Sequence, residues 1–125
     1  PILQDALQAL VGQIAKMGAG TFNAQDIANI IWAIAKLKEE APILQKTLPA
    51  LVGQIGEKYA SGFIAQGIAN IIWAAATLKE EAPILKDALP ALVERIIKLG
   101  TGAFTAQGIA NIILATAKLK EEAPI

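Results

Sequence analysis

Cysteine and histidine are both missing from these 125 residues. Their absence excludes disulfides, thiolate nucleophiles, imidazole general bases and the usual zinc ligand sets. Serine occurs once, at Ser61, so no common nucleophile–base pair can be assembled either. Charge of one sign is lacking as well, because 11 Lys and Arg balance 11 Asp and Glu. A domain that binds by neutralising phosphates usually carries a basic excess. Tight, purely charge-driven binding to nucleic acid is therefore not expected, and only a locally basic strip stays open. Long apolar runs are also absent. A membrane span needs about 20 apolar residues in succession, whereas the richest stretch, Ile27 to Leu37, is interrupted by Asn29 and Lys36. It reads as a buried helix and not as a span. No enzyme activity, no cofactor and no metal is expected from this inventory.

What the chain does have is repetition and small apolar residues. The apolar fraction is 54% with only 5% aromatic, against roughly 45–50% apolar in an ordinary soluble domain. The excess lies in Ala, Ile and Leu, which suit close helix–helix packing. The string Pro-Ile-Leu begins at Pro1, Pro42 and Pro83, a period of 41 residues. Phe22, Phe63 and Phe104 share one register, as do Asn29, Asn70 and Asn111. Repeat 1 spans 1–41, repeat 2 spans 42–82, repeat 3 spans 83–123, and 124–125 begin a fourth. This is the pattern of an all-α solenoid of helical-hairpin repeats. Similarity this close fits either a recently expanded array or a designed or trimmed repeat protein. The opening at Pro1 reads as a fragment of a longer protein, intracellular in the cytosol, an organelle, or a host cell. Neither end carries a polar capping repeat, so end-to-end self-association is a further expectation.

Each unit predicts two main helices. The first runs from Pro1 to about Lys16, with Leu3, Leu7, Leu10 and Ile14 at helical spacing. The second starts near Ala24 behind the N-cap Asn23, whose counterpart in repeat 3 is Thr105. Phe22 and Ile27 have staple spacing, repeated at Phe63/Ile68 and Phe104/Ile109. Glycine-containing turns at Gly18–Thr21, Tyr59–Gly62 and Gly100–Ala103 separate the helices, with no strand or Gly-Lys-Thr beside them to suggest a phosphate cradle. Pro49 and Pro90 fall inside the first helix of repeats 2 and 3, where repeat 1 has Gln8. They predict a kink, or else a split into three helices per unit as in armadillo repeats. Gln8 favours the kink. The Lys-Glu-Glu runs at 38–40, 79–81 and 120–122 read as turn chemistry and solubility.

Two stripes are candidates for binding. On the second helices, Gln25, Asn29, Trp32 and Lys36 stand one turn apart. Gln66, Asn70, Trp73 and Thr77 follow in repeat 2, then Gln107, Asn111, Leu114 and Lys118 in repeat 3. An Asn amide can pair with an extended peptide's N–H and C=O together while Trp walls the gap between residues. The same residues also suit packing between repeats, with Asn tying down a buried backbone group. On the first helices, Gln4 and Asp5, Gln45 and Lys46, and Lys86 and Asp87 vary between units on a constant scaffold. A modular reader of bases or residues needs that division, and drift on a solvated face produces it equally.

The run Phe22-Asn-Ala-Gln-Asp-Ile-Ala-Asn-Ile-Ile-Trp-Ala-Ile-Ala-Lys-Leu37 resembles the signature helix of the octotricopeptide repeat family. Members of that family are helical-pair solenoids of chloroplasts and mitochondria that bind RNA. The Phe-x-Ala-Gln-x-Ile-Ala-Asn stretch is also similar to the SKWP-type, armadillo-like repeats of bacterial effectors. The resemblance implies a modular array that binds single-stranded RNA, with bases meeting the variable first-helix positions by analogy with other helical-pair readers. The alternative from the residues alone is a protein- or peptide-binding scaffold.

Overall fold

A computed structural model describes residues 2–56 and 62–120, all-helical throughout with no strand among them. Among the described residues there are six α-helices: α1 (Ile2–Met17), α2 (Ala24–Lys36), α3 (Leu48–Gly53), α4 (Ala65–Thr77), α5 (Leu89–Leu99) and α6 (Ala106–Leu119). Among the described residues no helix is long and apolar enough to cross a membrane. Tyr59, Ala60 and Ser61 of the second turn, Glu121 and Glu122 of the third acidic run, and the start of a fourth repeat lie outside the described residues.

The turn between α1 and α2 follows from Gly18, which takes a left-handed φ of 83° and lets the chain leave the helix. Its N–H still closes onto the Ile14 carbonyl at 2.9 Å. A 3-10 turn over Ala19–Thr21 follows, and the Thr21 hydroxyl lies within donating distance of the Met17 carbonyl at the end of α1 and of the Gly18 carbonyl just beyond it. Gly100 plays the same part after α5, at φ 81°. At the start of α2 the Asn23 side chain accepts from the Asp26 N–H at 2.8 Å, while the Asp26 carboxylate accepts from the Asn23 N–H. That reciprocal capping box satisfies two donors that would otherwise be orphaned. Thr105 Oγ1 caps α6 through the Gly108 N–H at 3.0 Å, whereas Ile64 gives α4 no side-chain cap.

The structure corrects the expectation of a kinked first helix. Repeat 1 has one continuous helix, but repeats 2 and 3 split it into a 3-10 segment and an α-helix: Pro42–Thr47 then α3, and Pro83–Ala88 then α5. The reason lies in the missing proline N–H. In a continuous α-helix the Gln45 carbonyl would await a donor from position 49, and Pro49 has none. The 3-10 pattern satisfies that carbonyl one residue earlier, from the Leu48 N–H. Leu89 does the same for the Lys86 carbonyl ahead of Pro90. Both prolines then fall in the first two positions of a new helix, where a missing donor is harmless. Gln8 keeps its N–H, so α1 has no cause to break.

The second helices form the centre. α4 packs against α2 on one side and α6 on the other. Ile27, Ile31 and Ile34 of α2 and Ile68 and Ile71 of α4 are fully buried, each stabilising the fold by about 1.5–3 kcal/mol. Small residues let the helices approach closely. A Cβ placed on Gly67 would stand 3.2 Å from the Ala28 Cβ, closer than ordinary packing distance. The first-helix elements form a second row, α1 against Pro42–Thr47 and α3 against Pro83–Ala88. The two rows are joined across units, α2 packing on α3 and α4 on α5. This arrangement leaves one edge of each second helix facing outward.

Candidate functional site

That outward edge carries the predicted second-helix stripe. Burial of Ile68, Ala69, Ile71, Ile72 and Ala74–Ala76 on both flanks of α4 leaves Gln66 exposed and Ala65, Asn70, Trp73 and Thr77 half-buried. Gln25, Asn29, Trp32 and Lys36 of α2 are all exposed. On α6, Gln107, Leu114 and Lys118 are exposed and Asn111 is half-buried. The row contains amides, tryptophans and lysines, with Thr77 and Leu114 at the remaining positions, and no carboxylate.

The tryptophans of adjacent units meet in this row. The Trp32 and Trp73 ring centroids are 6.4 Å apart with planes inclined at 42°, a tilted pairing within the favourable range for aromatic rings. The Lys36 ammonium lies 5.3 Å from the Trp32 centroid and 5.9 Å from that of Trp73, so one cation serves two ring faces. Trp73 is half-buried against the core, but Trp32 remains 40% exposed. Packing between repeats therefore explains Trp73 in part and Trp32 much less. Neither Asn29 nor Asn70 ties down a buried backbone group among the described residues. Asn70 Oδ1 instead accepts from Gln66 Nε2 at 2.9 Å within the row. That bond uses the Asn70 oxygen and leaves its amide nitrogen as a donor, while Asn29 makes no side-chain hydrogen bond among the described residues.

At the head of the row, two open depressions sit between successive units. One, of about 80 Å³, is lined by Gln25, Phe63, Ile64, Gln66 and Gly67. The other, of about 230 Å³, is lined by Ile64, Gln66, Phe104, Thr105 and Gly108. They are the same feature one period apart, since each has a glutamine from one unit and the Phe-containing turn of the next.

The first-helix stripe is arranged differently. Gln4 and Asp5 lie on α1 and are exposed, while Gln45, Lys46, Lys86 and Asp87 lie on the 3-10 segments. Gln4 Nε2 donates to the Glu40 carbonyl at 2.7 Å, which ties α1 to the turn closing its own unit. Lys86 is already engaged with a partner. Asp5, Lys46 and Asp87 share one register with alternating sign. A phosphate chain following them would meet a carboxylate at either end.

The Lys-Glu-Glu runs do more than solubilise a turn. Lys38 Nζ donates to the Thr77 carbonyl at 3.4 Å and pairs with the Glu81 carboxylate at 3.4 Å. Lys79 Nζ donates to the Lys118 carbonyl at 2.9 Å. Each lysine thus reaches the C-terminal carbonyls of the next unit's second helix, where a cation is favoured. Sequence reasoning saw the recurrence of this lysine but not its reach. Arg95 was missed altogether: its Nε donates to the Phe63 carbonyl at 3.1 Å and steadies the turn before α4.

Comparison with known proteins adds one likeness. Residues 16–31, 59–72 and 96–113 are similar to a family described as a protein of unknown function (DUF1601). The three segments fall in the same part of each unit, over the turn and the start of the second helix. No curated protein matches the chain. No solved structure matches it either.

Proposed function

We propose that this protein is a non-catalytic α-solenoid of three 41-residue units whose second-helix row binds single-stranded RNA. The observation that carries this reading is a row with Gln and Asn in every unit, Trp in units 1 and 2 and Lys in units 1 and 3, with no carboxylate in it. Amides read base edges, aromatic faces stack on unpaired bases, and lysines meet phosphates; helical-repeat readers use two or three such side chains per base. The Lys36 ammonium beside the Trp32 face would place a cation next to a stacked base. The depressions beside Gln25 and Gln66 offer room for a group entering at the head of each unit. The likeness of Phe22–Leu37 to octotricopeptide helices supports the same ligand. The first-helix positions Gln4, Asp5, Gln45, Lys46, Lys86 and Asp87 become the secondary candidates, for the reasons of sign and engagement given above.

The test is fluorescence anisotropy of the protein with labelled single-stranded RNA at two salt concentrations. Only Lys36 and Lys118 supply phosphate contacts in the row, so the salt slope should be shallow, about −1.4. Affinity should then fall about sevenfold between roughly 50 and 200 mM salt. Trp32→Ala should weaken binding by about tenfold or more, as loss of one stacking platform does. Lys46→Glu should leave it nearly unchanged. Binding abolished by Lys46→Glu but not by Trp32→Ala would move the site to the first-helix stripe. Absence of RNA binding, with capture of an extended peptide lost on Asn29→Ala, would replace this reading by that of a peptide-binding scaffold.

A further inference from the structure

Each unit sets a glutamine one turn ahead of an asparagine on its second helix: Gln25 with Asn29, Gln66 with Asn70, and Gln107 with Asn111. In the central unit the two are joined, Gln66 Nε2 donating to Asn70 Oδ1 at 2.9 Å. That bond orders both side chains and commits the nitrogen of one amide and the oxygen of the other. The Gln66 oxygen and the Asn70 nitrogen make no further hydrogen bond among the described residues. The pair therefore offers one acceptor and one donor within a single turn of helix. The result does not depend on which amide donates, since any amide–amide bond leaves one oxygen and one nitrogen uncommitted. Gln66 is exposed and borders both depressions at the head of the row, so open space adjoins the pair. Trp73 follows Asn70 by one turn, and its ring meets that of Trp32.

From this arrangement we infer that the Gln66–Asn70 pair reads adenine, so that the row prefers adenine-rich single strands. The inference rests on the RNA reading above and gives it a base preference. Two properties of the site single this base out. Tryptophan faces favour purines, whose fused rings cover more of an indole than a pyrimidine does. Among purines, adenine carries a donor beside an acceptor on both of its free edges, N6–H with N1 and N6–H with N7. An acceptor–donor pair matches either edge. Guanine fits less well on both. Its Hoogsteen edge shows two acceptors, O6 and N7, and sets one of them against the Gln66 oxygen. On its Watson–Crick edge O6 and N1–H can pair, but the second donor, N2–H, goes unmet. A carboxylate would take both donors, and the row has none. Lys36, which could donate to O6 and N7, lies over the tryptophan faces instead.

Competition binding tests the preference. A labelled, unstructured strand of adenine and uracil is bound to the protein and followed by fluorescence anisotropy. It is then challenged with unlabelled strands: the same sequence, the sequence with guanine for adenine, and the sequence with purine for adenine. Purine keeps the ring system and lacks the amino group, so it separates edge reading from stacking. Both replacements should compete about tenfold less well than the parent strand, within the discrimination of one bidentate contact. Gln66→Leu, at an exposed position, should keep the helical circular dichroism and bring the three strands toward equal affinity. Equal competition by all three strands for the wild-type chain would overturn the adenine assignment and leave RNA binding itself in place. Tighter binding of the guanine strand would overturn it too. An adenine preference that survives Gln66→Leu unchanged would take base reading away from this pair. Failure of the labelled strand to bind at all would remove the RNA reading and this inference together.

Discussion

Leu10 and Leu51 occupy one position of the repeat and should differ widely in what they contribute. Truncating either to alanine removes three carbons, worth about 2.4 kcal/mol at roughly 0.8 kcal/mol per buried carbon. Leu51 is fully buried, so Leu51→Ala forfeits all of that and leaves a cavity between α3 and α2. A total of about 3–4 kcal/mol is expected, inside the usual range for a buried leucine. Leu10 is 55% exposed, so less than half of its transfer term is at stake and no enclosed cavity forms. Leu10→Ala should cost about 1 kcal/mol. Urea unfolding followed by circular dichroism, in dilute protein, measures both. With a slope of about 2 kcal/mol per molar for a chain of this size, the two midpoints should differ by about 1 M. Equal costs would refute the reasoning, because they would mean that the α1 face is covered in the folded state as fully as its counterparts.

Other consequences are open to simple measurements. Ile64 has the extended backbone of an N-cap, with φ −92° and ψ 168°, but no capping side chain; Ile64→Asn should raise stability by about 0.5–1 kcal/mol in the same urea assay. Lys79→Met removes the donor to the Lys118 carbonyl and should cost about 0.5–1 kcal/mol. Lys38→Met removes an ion pair with Glu81 as well, and because both groups are more than a third exposed its effect should shrink as salt is added.

The helices, turns and caps were legible because they follow from local chemistry. Asn23 with Asp26, Thr105, and the glycines at 18 and 100 each act within four residues of themselves. The 41-residue period located the second helices, whose starts at Ala24, Ala65 and Ala106 keep that spacing. The split at Pro49 was harder to read, because a kink and a 3-10 break have the same sequence signal. What decides between them is whether the Gln45 carbonyl finds a donor, and that is a question of geometry. The inter-unit reach of Lys38 and Lys79 was illegible for a different reason: a long flexible side chain beside a turn has many destinations, and only the stacked neighbour selects one. The second-helix row was visible as a stripe, but which of its members would be exposed was not. Trp32 and Trp73 occupy the same register and share the same neighbours in sequence, yet the second is flanked on both sides and the first on one.

The central place of α4 has a consequence for how the molecule opens. Eight of its 13 residues are buried, against three of 14 in α6 and none among the described side chains of α1, so the local free energy of opening is highest in the middle and falls toward both ends. Among the described residues the main helix–helix contacts run from one unit to its neighbour, which allows an end to fray while the rest stays folded. Amide exchange with solvent should be slowest along α4 and faster along both α1 and α6. Anything lying across all three units would slow exchange most in the terminal helices, so the ends, and not the best-packed centre, are where occupancy of the row would first register.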